Sequence, residues 1–192
     1  MQKQEFEVHL TADIKSPVMY HQFKTMCKQL DAKPLEIILA RGMYSKQIML
    51  SKCVYSADLS TVLEDIVPWI KAFEQQNIQI IRTKIELPFQ DSQTDQQSIY
   101  YYEWHALIEC RDAFELKQLC EHHQAHLSQN ALKRHENFRF LTLRETGTAD
   151  FFLKRLELLY IALLNQHRVI AKERFEICIY DTNIMLDHGW LS

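Results

Sequence analysis

The chain of 192 residues is 47% hydrophobic and 24% charged, which excludes disorder and suits one larger globular domain or two small ones. It has three glycines, Gly42, Gly147 and Gly189, too far apart for a P-loop or a GxGxxG dinucleotide fingerprint, so any phosphate must be held by side chains. A formal net charge of −3 supplies no basic field, which sets aside nucleic acid and an anionic membrane surface as partners.

In chain order, Phe6, Val8 and Leu10 alternate along a strand predicted over residues 5–11. Ser16 as N-cap with Pro17 at the first helical position opens a helix whose buried stripe is Phe23, Cys27 and Leu30. Strands over 35–39 and 47–52, joined through 40–45, read as a hairpin. A second helix covers 59–75. Thr61 and Glu64 have capping-box spacing there, and Pro68 predicts a late start or a kink. A strand over 78–87 ends this half.

The order then repeats, with a strand over 101–109, a helix over 113–122, hairpin strands near 127–132 and 138–144, a helix over 150–169 and a strand over 174–180. Residues correspond as well as elements. Phe6-Glu-Val-His9 matches Tyr102-Glu-Trp-His105, Phe23-Lys-Thr-Met-Cys27 matches Leu116-Lys-Gln-Leu-Cys120, and the run Arg82 to Leu87 matches Lys172 to Ile177. Strand-helix-strand-strand-helix-strand is the order of a ferredoxin-like unit. The expected architecture is therefore α+β, a tandem duplication of a ferredoxin-like βαββαβ unit. Two four-stranded antiparallel sheets, each with helices on one face, would be related by a pseudo-twofold axis. The repeats would occupy 1–88 and 99–183, with a polar linker at 89–98 and a C-terminal tail at 184–192 packed through Ile184, Leu186 and Trp190.

Strand alternation identifies the residues on the sheet face that the helices leave open. On first and last strands these include Glu7, His9, Arg82, Lys84 and Glu86 in one half, and Glu103, His105, Lys172, Arg174 and Glu176 in the other. Because first and last strands are neighbours in such a sheet, each half should set Glu-x-His beside a basic row ending in Glu. This is the candidate ligand-binding face. Its basic side chains suit a small phosphate- or carboxylate-bearing ligand, and His9 or His105 could act as acid or base. Two other readings fit the same residues: a metal-dependent phosphohydrolase, and a ladder of cross-strand ion pairs on an oligomerisation module, for instance a homodimer formed through the open faces.

The segment Glu5-Phe-Glu7-Val-His9 resembles the ExExK start of the CYTH triphosphate-tunnel enzymes, with His9 at the lysine position. That resemblance implies Glu5 and Glu7 as metal ligands and Arg82, Lys84, Lys172 and Arg174 as phosphate contacts. His9-Leu-Thr11 also resembles the HxT motif of the 2H phosphoesterases, whose second copy here reads His105-Ala-Leu107 and lacks the hydroxyl. His122, His123 and His126 include an i, i+4 pair but no evident third ligand, and read as a solvated helix end. No metal site or cofactor is assigned. Cys27 and Cys120 read as core residues, and five cysteines without CxxC spacing or an evident secretory signal point to a reducing cytoplasm. The longest apolar run, 156–164, is too short for a membrane span.

Overall fold

The computed structural model describes residues 3–89, 99–132 and 137–189. The elements are β1 (Gln4–Asp13), α1 (Pro17–Gln29), β2 (Lys33–Leu39), β3 (Lys46–Ser56), α2 (Leu59–Gln75), β4 (Gln79–Pro88), β5 (Tyr101–Glu109), α3 (Ala113–His122), β6 (His126–Asn130), β7 (Phe138–Glu145), α4 (Ala149–Asn165) and β8 (Ile170–Asp181). A 3-10 turn over Ile184–Asp187 follows. Most of the expected linker, residues 90–98, lies outside the described residues, as does Trp190. Of the tail's expected anchors, Leu186 is buried and Ile184 is exposed.

The eight strands of the described residues pair antiparallel and close into one barrel in the order β1-β3-β2-β6-β7-β5-β8-β4. This overturns the expected tandem duplication of ferredoxin-like units with two separate four-stranded sheets. The physical reason lies in the edges. A four-stranded sheet leaves two rows of unpaired backbone groups, and closure removes both. β2 meets β6 through Ile37 opposite Asn130, Ile38 opposite Gln129 and Leu39 opposite Ser128. β4 meets β8 from Lys84 opposite Asp181 to Pro88 opposite Glu176. The face expected to be open is consequently the inner wall of the barrel, closed off from any second sheet. The coarser expectation holds: the class is α+β, and no helix of the described residues is long and apolar enough to cross a membrane.

The helices pack on the outer wall. Outward-facing Phe6, Val8 and Leu10 of β1 and Trp104, Ala106 and Ile108 of β5 are almost fully buried beneath α1 to α4, together with Phe23, Phe73, Leu116, Phe152 and Leu159. Cys27 and Cys120 belong to this core. Each helix starts on a side-chain cap: Ser16 accepts from Met19 N–H, Asp58 from Thr61 N–H, Asp112 from Phe114 and Glu115 N–H, and Thr148 from Phe151 N–H. Asp58 thus replaces the expected Thr61 and Glu64 capping box. α2 starts at Leu59 and carries Pro68 inside it, while α4 stops at Asn165, short of the expected 169.

All four helices also stop in the same way. Asp31, Asn77, Gln124 and His167 adopt left-handed backbone at φ of 50, 58, 52 and 53°. The next residue's N–H then reaches back to a carbonyl five residues earlier, as from Ala32 to Cys27 and from Arg168 to Leu163. Glycine is the usual residue at this position, because a Cβ there costs about 1–2 kcal/mol. With three glycines in the chain, other residues carry that strain. His167→Gly should raise stability by about 1 kcal/mol in urea unfolding; an unchanged or lowered midpoint would count against strain at this cap.

Candidate functional site

The alternation that buries Phe6, Val8 and Leu10 outward turns Glu7, His9 and Thr11 inward, and the same rule applies on β4, β5 and β8. Glu7, His9, Arg82, Lys84, Glu86, Glu103, His105, Lys172, Arg174 and Glu176 all line one internal cavity of about 320 Å³. Strand register sets Glu7 opposite Glu86 and Glu103 opposite Glu176. Like charges so placed repel, and the side chains around them answer that repulsion.

Eight groups form a closed ring of alternating acid and base. His9 Nε2 lies 3.5 Å from Glu7 and 3.0 Å from Glu86. Lys84 Nζ joins Glu86 at 2.7 Å to Glu103 at 2.5 Å. His105 Nε2 sits 3.3 Å from Glu103 and 3.4 Å from Glu176. Arg174 closes the ring, with Nε 2.7 Å from Glu176 and a terminal nitrogen 2.5 Å from Glu7. With both imidazoles neutral this ring carries two excess negative charges, and with both protonated it is balanced. Ser51 adds a hydroxyl donor to Glu7 at 2.6 Å, and His105 Nδ1 lies 2.9 Å from Thr142 Oγ1.

A second network backs the ring at one end. Arg82 donates to Asp181 through Nε at 2.9 Å and a terminal nitrogen at 2.5 Å, and to Asp187 at 2.8 Å. Arg144 spans Asp187 at 2.9 Å and Glu103 at 2.6 Å, with its guanidinium 3.9 Å from the Tyr101 ring centroid. Tyr101 donates its hydroxyl to Asp181 at 2.6 Å, and Gln47 donates to Asp187 at 3.1 Å. Asp187 belongs to the 3-10 turn after β8, so the C-terminal segment crosses this end of the barrel. Arg144, Asp181 and Asp187 escaped the sequence reading. Arg144 had a signal, since it shares the inward parity of Thr142 on β7, but Asp187 lies in a segment without periodicity.

Protonation follows the geometry. Burial works against the charged forms of Glu7 and Glu103, yet His9 beside Glu7, and Arg144 and Lys84 beside Glu103, hold both carboxyls below the usual range. Arg82 does the same for Asp181, and Arg144 with Arg82 for Asp187. Glu176 differs: burial and the neighbouring Glu86 carboxylate push it up to about 7. His105 loses to burial but gains more from Glu103 and Glu176, so its pKa rises, and its side chain keeps 30% of its surface facing the cavity.

Several expected roles are placed differently. Glu5 and Glu7 share Arg174, and Glu5 also accepts from Tyr55, so the two carboxylates named by the triphosphate-tunnel resemblance are tied to a cation of the chain itself. Among the described residues, Glu86, Glu103 and His105 bring ligand atoms within 4.8 Å of one another, with Lys84 Nζ between the two carboxylates. His126 is not at a solvated helix end; it is buried on β6, where burial and Arg41 lower its pKa to about 4.

No family model and no curated protein sequence matches the chain. Solved structures similar to it include one described as a glycine cleavage system transcriptional repressor, at 11% identity and a TM-score of 0.28, covering 93% of this chain and 99% of that one. An unknown protein from Galdieria sulphuraria matches at 12% identity and a TM-score of 0.26, covering 92% and 99%. Likeness at this level carries no inference about function.

The site makes stability depend on pH in a specific way. Glu176 releases its proton near 4.5 when unfolded and about 7 when folded. Between those values folding takes up a proton, so stability falls as pH rises, by up to ~1.4 kcal/mol per unit. The raised His105 adds stability below its unfolded pKa that is lost as pH rises through its folded value. The lowered Glu7, Glu103, Asp181 and Asp187 act oppositely, contributing stability above about pH 4 that is lost on acidification. Stability should therefore peak near pH ~5. Glu176→Gln should be more stable than the parent by on the order of 2 kcal/mol at pH 8 with no gain at pH 4; an equal effect at both pH values in urea unfolding would contradict the assignment.

Proposed function

We propose that this protein binds a small carboxylate- or phosphate-bearing molecule inside its barrel. The carrying observation is the cavity of about 320 Å³ within a closed eight-stranded wall whose charged groups point inward. A barrel of this strand number has room either for its own side chains or for one small ligand. Stability alone does not call for the charges, since well-packed apolar residues serve a core equally well. The five cysteines are all unpaired, in keeping with work in a reducing cytoplasm.

The anion would enter at the end of β8 remote from Asp181. Arg82, Lys84, Arg144 and Arg174 are all ion-paired, Arg174 with Glu5, Glu7 and Glu176, but Arg82, Lys84 and Arg144 are nearly enclosed. Arg174 keeps 37% of its side chain exposed and Lys172 is exposed. An incoming carboxylate or phosphate takes the Arg174 guanidinium from Glu176 in a charge-assisted contact. The released Glu176 carboxylate, already poised at about 7, accepts a proton and so loses the charge that would repel the ligand.

A thermal-unfolding panel of inorganic phosphate, succinate and benzoate at pH 6, with and without Mg²⁺, tests this reading. An anion at one hundred times its dissociation constant should add about 2.7 kcal/mol of stability, and Arg174→Gln should abolish the shift. A shift that requires Mg²⁺ would favour the metal-dependent phosphohydrolase instead, with Glu86, Glu103 and His105 as ligands and Lys84 displaced. No shift with any anion would overturn both.

A further inference from the structure

The cavity wall has two chemically different halves. β5, β8, β4 and β1 are consecutive in the barrel and contribute the whole charged ring. The opposite half, β3, β2, β6 and β7, brings Lys33 at the start of β2 and Gln47 and Arg144 beside Asp187, and is otherwise uncharged, with Met49, Leu35, Ile37, Leu39 and Phe140 facing the same cavity. Leu107, opposite Phe140 across the β5–β7 ladder, extends that apolar half. None of these six large apolar side chains belongs to the core beneath the helices. Five of them are only half-buried, although they sit inside a barrel.

Such a wall is poorly served by water, because apolar surface gains by contact with another apolar surface. A small inorganic ion bound at Arg174 would leave it wet. A cavity of about 320 Å³ lies at the lower end of the range for organic ligands. We propose that the ligand is an amphipathic monoanion: one carboxylate or phosphate head held at Arg174, and a compact apolar body laid against Leu35, Ile37, Met49, Leu107 and Phe140. The inference rests on the proposed anion site and adds the chemistry of the body attached to the head group.

Isothermal titration of the native protein at pH 6 with acetate, butyrate, hexanoate and octanoate tests it, with hexyl phosphate comparing heads and hexanamide removing the charge. Affinity should rise about fourfold per methylene until the cavity is full, which is the buried-methylene increment converted to a ratio. Hexanamide should bind at least tenfold more weakly than hexanoate, and hexyl phosphate should also bind more tightly than hexanamide. Ile37→Thr and, independently, Leu35→Gln should flatten the chain-length dependence. Alkanoates that bind with one affinity regardless of length would overturn the amphipathic ligand and leave the anion site standing. Hexanamide binding as tightly as hexanoate would overturn the anionic head and the reading it rests on. Binding by none of the probes would remove both.

Discussion

The Arg174 guanidinium on β8 reaches past β4 to Glu7 on β1 while holding Glu176 on its own strand, and Lys84 on β4 reaches past β8 to Glu103 on β5. These two contacts each step over a strand, and the two imidazoles complete the circuit between them. Much else depends on that circuit. It offsets the repulsion of two pairs of glutamates placed directly opposite each other, it fixes the charged half of the lumen in one arrangement, and it leaves the inner space open. Partnerless carboxylates in that position would be far more costly than paired ones.

The ring also explains why the lumen is sensitive to protons near neutrality. Two arginines and a lysine beside Glu103 and the aspartates keep those carboxyls ionised over the working range, whereas Glu176 shares Arg174 with Glu7 and Glu5. Glu176 is consequently the acid most easily neutralised. It is also a partner of the ring's one guanidinium, which is more exposed than those of Arg82 and Arg144. Charge, access and titration therefore meet at one pair of residues, Arg174 and Glu176, at the end of the barrel that the C-terminal turn does not cross.

Much of this was legible from alternation. The periodicity of β1, β4, β5 and β8 placed the ten candidate residues on the strand faces turned away from the helices, five in each half, because a half-buried strand declares its parity in its own sequence. Closure was not legible. The ladders joining β2 to β6 and β4 to β8 are made by backbone groups, which look the same in every sequence, so the same residues fit open sheets and a barrel alike. The apolar half of the wall was hidden for a related reason. Leu35, Ile37 and Leu39 look like any buried strand, and only the closed wall turns them toward a cavity rather than a core. Arg144 and Asp187 acquired their roles from a turn after β8 that carries no repeating pattern.

Proton uptake on binding is the most direct measure of whether the ring works as described. Hexanoate binding at pH 7, titrated calorimetrically in buffers of different ionisation enthalpy, reports the number of protons taken up. Displacement of Glu176 from Arg174 predicts uptake of a substantial fraction of one proton per ligand, lost in Glu176→Gln. Binding with no proton uptake would contradict the exchange of partners at Arg174 on which the proposed binding mode depends.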